Sequence, residues 1–182
     1  AEWERAAGLQ PTDAASHSQL GCCRAALGDQ SLARLNLERA LALDASHSAA
    51  CKALAALLLR QGETAAALRH LERLTELQPD DPQVRVQYAE ALDRAGQPER
   101  AKAAWQAILD QVSDDWSGLV ATGSALRRAG RHDEAIKTLK RAIATDPSAI
   151  EAGLELAQSL EAAGQSEAAL DEYRTVAARF PR

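Results

Sequence analysis

A glycine recurs every 34 residues along this chain of 182 residues, and this period constrains the fold more than any other feature. The five glycines are Gly28, Gly62, Gly96, Gly130 and Gly164. A fixed period of roughly 20–50 residues is the signature of repeat architectures, in which each repeat is one supersecondary unit. The sequence therefore predicts stacked copies of one small unit.

Two further sets of small residues recur every 34 residues, and we call each such set a column. An alanine lies five residues after each glycine, and a glycine or alanine lies seven residues before it. The alanine column is Ala33, Ala67, Ala101, Ala135 and Ala169, and the earlier column is Gly21, Ala55, Ala89, Gly123 and Ala157. Proline lies seventeen residues after the glycine in three units, as Pro79, Pro147 and Pro181. Ala45 and Ser113 take that place in the other two units.

The columns predict a pair of helices in each unit. Before each glycine, apolar residues such as Leu54 and Leu58 recur at helical spacing, which indicates an amphipathic helix. Glycine adopts positive φ without steric cost, so it can end that helix and reverse the chain. The alanine column then lets a second helix approach the first closely, and the proline stops it. Because one such pair cannot bury its own apolar stripes, we expect an all-α, right-handed α-solenoid of antiparallel helix pairs.

With this period and these columns, the chain closely resembles the tetratricopeptide repeat (TPR) family along essentially its whole length. The resemblance implies a second helix of a truncated repeat over residues 1–13, followed by complete repeats at 14–47, 48–81, 82–115, 116–149 and 150–182. We expect all of them to form one solenoid domain that is an internal piece of a longer array.

Composition and charge narrow the classes of partner. The net charge is -5 and the pI is near 5.4, so the chain lacks the basic field that attracts nucleic acid. No apolar run reaches the roughly 18–20 residues of a membrane span, which argues against direct membrane insertion. We expect protein or peptide partners, and the localisation stays open between cytoplasm and periplasm.

Catalytic and metal-binding motifs are missing from the sequence. It contains no phosphate-binding glycine loop, zinc-binding histidine pair or nucleophile motif, so we expect no enzyme activity, no cofactor and no metal. One alternative is a soft-metal site at His17, His47 and Cys51, which share a helical face in successive repeats. Helix packing explains these residues, and the adjacent Cys22 and Cys23, more simply.

The aromatic residues are predicted to serve packing. Trp3, Trp105 and Tyr173 share one column, nine residues after the glycine position, where other repeats carry leucine. We expect all three in the core and Trp116 as a half-covered lid over the third repeat. The half repeat and the last helix, with Val176 and Phe180, should expose apolar faces at the ends of the array, which predicts end-to-end self-association.

The remaining stripe of each first helix should line a groove. Its positions lie thirteen, ten, nine, six, three and two residues before the glycine, and in TPR proteins this surface commonly holds a peptide or a helix. The candidate partner-binding residues on it are Gln19, Lys52, Arg60, Gln87, Glu90, Arg94, Ser124, Arg127 and Arg128.

Arg60, Arg94 and Arg128 form a column in this stripe, two residues before successive glycines. Guanidinium groups at that spacing would select acidic groups on a partner, whereas the helix dipole alone also favours arginine near a helix C-terminus.

Two specialised TPR functions fit poorly. The one asparagine, Asn36, falls in a second helix, away from a terminal-carboxylate clamp. The asparagine ladder of TPR-bearing sugar transferases is replaced by Gln19, Ala53, Gln87, Ala121 and Glu155.

Three functions remain open on this evidence. The first is a non-catalytic scaffold that binds a peptide or partner protein in the groove. The second is the substrate-recognition arm of a larger enzyme, such as a glycosyltransferase or sulfotransferase. The third is a spacer or assembly module of a secretion or export complex.

The alanine column generates a direct test of the register. Replacing Ala101 or Ala135 by leucine should overpack the helix pair and lower the free energy of unfolding by about 1–3 kcal/mol. Thermal denaturation of each variant measures the effect. Melting temperatures equal to that of the unmodified protein would contradict the assignment of this column to the helix contact.

Overall fold

The structure is a computed structural model, and it describes residues 13–112 and 115–179. Within these ranges the chain forms ten α-helices and no strand, as the sequence predicted. The truncated repeat with Trp3, together with Ser113, Phe180 and Pro181, lies outside the described residues.

The helices form five consecutive pairs. The first helices of the pairs are α1 (Ala14–Ala26), α3 (Ser48–Arg60), α5 (Pro82–Arg94), α7 (Trp116–Arg128) and α9 (Ile150–Ala162). The second helices are α2 (Gln30–Leu43), α4 (Thr64–Leu77), α6 (Pro98–Gln111), α8 (His132–Thr145) and α10 (Ser166–Arg179). Both series begin at intervals of 34 residues, so the helices follow the period of the sequence. The repeat boundaries and the single-domain organisation stay predictions.

Positive-φ glycines make the turn within each pair. All five periodic glycines have φ between 65° and 86°, and at Gly130 a Cβ would meet no other atom within 4 Å. Backbone conformation, rather than crowding, therefore selects glycine here. The next amide donates back into the helix, as Arg131 N–H does to the Leu126 carbonyl at 2.9 Å. The predicted C-terminal cap is confirmed.

The starts of several first helices are fixed by aspartates. Asp13 accepts from the amides of Ala15 and Ser16, and Asp81 accepts from Gln83 at 2.8 Å. Pro82 follows Asp81 as the first residue of α5, where its missing N–H removes no helical hydrogen bond. These local signals place helix starts independently of the core.

Within the two compact units described below, as in the pairs α1–α2 and α7–α8, the helices of a pair meet through the small-residue columns. Every alanine of the later column is buried, and a Cβ built on Gly21 or Gly123 would lie only 2.7 or 2.6 Å from the Cγ of Leu37 or Leu139. The two glycines therefore allow a closer approach of the helices than alanine would. The burial of the alanine column agrees with its predicted place at the helix contact, and the structure adds Gly21 and Gly123 of the earlier column to that contact.

Contacts divide the chain into two compact units, residues 1–102 and residues 103–182, with the boundary inside α6. The core of the first unit is built around Leu37, Leu54 and Leu58, beside a smaller cluster of Cys51, Leu74 and Val84. The core of the second unit is built around Leu119, Leu139 and Leu156.

The aromatic residues fit their predicted roles only in part. Trp105 is completely buried, and Trp116 is half-buried against the core of the second unit. Tyr173 is not a core residue, because it lies half-buried on α10, the last described helix, and its hydroxyl donates to Glu161 at 3.4 Å. No later described helix covers this side chain.

Gly123 offers a test of the close helix contact. Glycine inside a helix costs about 1 kcal/mol relative to alanine, but the clash of an alanine Cβ with the buried Leu139 should cost about 1–3 kcal/mol. We expect Gly123→Ala to lower the free energy of unfolding by about 1 kcal/mol net, as measured by urea denaturation.

A matched background separates the two effects. In a Leu139→Ala protein the obstructing side chain is gone, so Gly123→Ala should raise stability by about 0.5–1 kcal/mol through helix propensity alone. The same sign of effect in both backgrounds would show that the contact with Leu139 does not select the glycine.

Candidate partner-binding groove

We call the six positions that lie thirteen, ten, nine, six, three and two residues before each glycine the groove stripe. In the structure most of its side chains are exposed or half-buried, which leaves them accessible to a partner. Ser18 and Val120 are exceptions, because both are buried. Most of the stripe is therefore accessible, and its role as a partner-binding surface stays a prediction.

The nine predicted partner-binding residues all lie on first helices. Gln19 is on α1, Lys52 and Arg60 are on α3, and Gln87, Glu90 and Arg94 are on α5, while Ser124, Arg127 and Arg128 are on α7. The helix-terminal residues Arg60, Arg94 and Arg128 are exposed, as is Gln19, and the others are half-buried.

Four of these residues meet at one open cavity in the first unit, with a volume of about 540 Å³. Its walls come from α3, α4 and α5, and its lining residues are Ala56, Leu59, Arg60, Leu71, Gln87, Glu90 and Arg94. Lys52 and Gln19 do not line it. The structure thus groups Arg60, Gln87, Glu90 and Arg94 into one candidate site.

The cavity combines an apolar wall with charged groups. Leu71 projects from α4 and is almost completely buried, whereas Leu59 is half-buried and Ala56 is exposed. Leu71 was missed as a site residue, because its column was assigned to the core. Leu71 is nonetheless part of the lining of the cavity.

The two arginines of the cavity, Arg60 and Arg94, have no hydrogen-bond or ion-pair partner in the described part of the chain. Each is the last residue of its helix, where the helix dipole favours a positive charge. The dipole explains their position but leaves their N–H donors free for a ligand.

In the second unit, an ion pair joins two residues of the groove stripe, Arg127 and Glu155. Arg127 on α7 donates from Nε and Nη2 to one carboxylate oxygen of Glu155 on α9, at 3.3 and 3.2 Å. Leu59 and Gln87 hold these two positions in the first unit, as counted from the glycines. Arg127 is one of the nine predicted partner-binding residues, and its guanidinium is bound to another residue of the groove stripe.

Histidines and cysteines do not assemble into a metal site in residues 13–112 and 115–179, where no group of three or more candidate ligands is found. His17 Nδ1 instead lies 3.3 Å from the side-chain oxygen of Asn36, and His47 Nδ1 lies 3.8 Å from Asp44. Burial raises the pKa of the Cys51 thiol, which keeps it in the unreactive protonated form.

Across the part of the chain that the structure describes, no helix has the length and apolar character needed to cross a membrane.

Comparison with protein families gives three matches, all described as tetratricopeptide repeat, over residues 2–114, 86–150 and 126–182. The first of these spans more than half of the chain. The chain belongs to the tetratricopeptide repeat family. The TPR resemblance inferred from the sequence columns is thereby confirmed.

Solved TPR structures share the fold at low sequence identity. The TPR protein YrrB, described as having an unusual peptide-binding site, superposes with a TM-score of 0.65 at 17% identity, covering 100% of this chain and 93% of YrrB. A MamA protein superposes with a TM-score of 0.63 at 17% identity, covering 90% of both chains. MamA from Desulfovibrio magneticus RS-1 gives 0.63 at 15% identity, covering 90% of this chain and 92% of MamA. A comparison with curated proteins found no match.

The Arg127–Glu155 pair generates a test of the second unit. Its side chains are 26% and 19% exposed, so the pair is partly shielded from solvent. We expect a double-mutant cycle with Arg127→Ala and Glu155→Ala to give a coupling free energy of about 0.5–1 kcal/mol that falls at high salt. The exposed pair Arg174–Asp171 on α10 is the control and should couple by no more than about 0.2–0.5 kcal/mol. Zero coupling between Arg127 and Glu155 would show that this ion pair does not contribute to the stability of the second unit.

Proposed function

We propose that this TPR protein is a non-catalytic interaction scaffold that binds a peptide, or an exposed segment of a partner protein, against the groove stripe. The observation that carries this proposal is the cavity of about 540 Å³ between first helices of the first unit. Peptide-binding helical repeats use a rigid scaffold to present accessible side chains, and this cavity is framed by regular helices rather than by loops.

The composition of the cavity supports a peptide ligand. Ligand sites typically combine apolar walls with a few convergent polar groups and occupy about 300–1,000 Å³. Here Leu59 and Leu71 supply apolar surface, while the Gln87 amide can both donate to and accept from a peptide backbone. An open cavity suits a segment that continues past both ends of the contact, because such a ligand cannot be fully enclosed.

The comparison with YrrB adds support at the level of the fold. That TPR protein is described as having a peptide-binding site, and it superposes along the whole of this chain. We favour the scaffold over the recognition arm of a larger enzyme or a spacer module, because the cavity offers a candidate binding site within the described residues themselves.

A bulky residue in the cavity tests the proposed function. Peptides are first selected from a random library displayed on phage, with the unmodified protein as bait, and the affinities of purified variants for them are then measured by fluorescence anisotropy. Ala56→Trp should fill the space beside Leu59 and weaken binding about 10-fold or more, as expected when a ligand loses a well-packed contact.

The matched control is Ala65→Trp, which places the same ring at an exposed position on the second helix α4. This variant should bind the selected peptides as the unmodified protein does, and both variants should keep the helical circular-dichroism spectrum. Equal losses of affinity in the two variants, or failure of the bait to select any peptide, would reject groove binding.

A further inference from the structure

We infer that the cavity of the first unit recognises a carboxylate on its peptide ligand, an aspartate or glutamate side chain held between Arg60 and Arg94 with a small aliphatic residue beside it. This inference rests on the proposed function, because it names the chemistry of the peptide that the groove would bind. It adds a specificity that peptide binding alone does not require.

The two guanidinium groups give the cavity the positive charge that would bind a carboxylate. Arg60 approaches the cavity from α3 and Arg94 from α5, so two cations line one space from different helices. Within the described ranges neither group is neutralised by an acidic side chain of the protein. Cations that share a cavity repel each other, and an anion between them relieves that repulsion while it accepts charge-assisted hydrogen bonds.

The shape of the guanidinium groups suits a carboxylate. The planar fork of an arginine matches the two oxygens of a carboxylate and can donate to both. Glu90 also lines the cavity, and its carboxylate weakens the attraction for an anionic ligand. The two arginines outnumber it, so the charges that line the cavity still favour an anion.

The apolar wall specifies what lies beside the acidic group. Ala56, Leu59 and Leu71 offer an aliphatic surface without a large aromatic ring, and the space is open rather than deep. A short aliphatic side chain next to the acidic residue can cover this surface and remove its apolar area from water. The expected motif is thus an acidic residue adjacent to alanine, valine or leucine.

The second unit provides an internal comparison for the site. Counted from the glycines, Arg128 corresponds to Arg60 and has an interaction within the protein, and Ala162 replaces Arg94. The pair of arginines without partners among the described residues is therefore a property of the α3 and α5 positions and not of every repeat. A helix dipole acts at every helix C-terminus, so it alone does not produce this difference.

The experiment compares peptides selected on two baits from the same random library, the unmodified protein and an Arg60→Ala/Arg94→Ala variant. The unmodified protein should enrich peptides with aspartate or glutamate beside a small aliphatic residue, and the double variant should lose that enrichment. For a selected peptide, replacing its acid by the matching amide should weaken binding about 10-fold or more, because a charge-assisted hydrogen-bond pair is lost. Affinity for the acidic peptide should also fall as salt rises.

Matched variants separate the site from general charge. Arg39→Ala removes an exposed arginine from the second helix α2 and should leave the affinity unchanged. Arg60→Lys/Arg94→Lys keeps both charges without the planar fork and should bind with intermediate affinity. Circular dichroism and thermal denaturation confirm that each variant is folded before its affinity is compared.

The outcomes distinguish this inference from the proposed function. Peptides that bind the groove, lose affinity with Ala56→Trp, but carry no acidic preference would overturn the carboxylate inference and leave the scaffold proposal standing. An acidic preference that survives in the double variant, or is lost equally in Arg39→Ala, would also overturn it. Failure to select any peptide on the unmodified protein would overturn both proposals.

Discussion

The fold depends on a close contact between paired helices, which leaves room for no side chain larger than that of alanine. Five alanines in one column are buried, and opposite them the chain places only glycine or alanine, seven residues before each turn. Where glycine stands, at Gly21 and Gly123, a leucine of the second helix fills the space that a Cβ would occupy. Close approach brings the leucine-rich stripes of both helices into contact, and burial of these stripes stabilises the pair.

The position of the groove stripe follows from this contact. Because one face of each first helix is committed to the second helix, its groove stripe is left facing away from that contact. Most stripe residues are therefore accessible, and they are free to vary in chemistry from one repeat to the next. The result is one scaffold with different surfaces. Among the described residues, the Arg60 and Arg94 guanidinium groups make no hydrogen bond or ion pair, and they line an open cavity at α3 and α5. Arg127 on α7, at the position that corresponds to Leu59, is instead bound to Glu155 on α9.

The helices and turns could be predicted from the sequence because their signals are local and repeated. The glycine column predicted the positive-φ turns, and the alanine column predicted the buried contacts, without reference to distant parts of the chain. Pairwise tertiary contacts could not be predicted in this way. The Arg127–Glu155 ion pair joins residues 28 apart, and the cavity brings Leu71 of α4 together with residues of α3 and α5. Tyr173 is a further case, since its column is buried only where another helix covers it.

The most direct test of the carboxylate site is an NMR titration of the arginine side-chain Nε–Hε signals with an acidic peptide selected on the unmodified protein. The account predicts saturable shifts at Arg60 and Arg94, together with amide shifts in α3 and α5, while Arg39 and Arg73 on second helices stay unchanged. Both control arginines lie on exposed helix faces, and Arg73 is already paired with Glu76 at 2.8 Å. Shifts confined to second helices, or an unchanged Arg60 and Arg94 at saturating peptide, would contradict it.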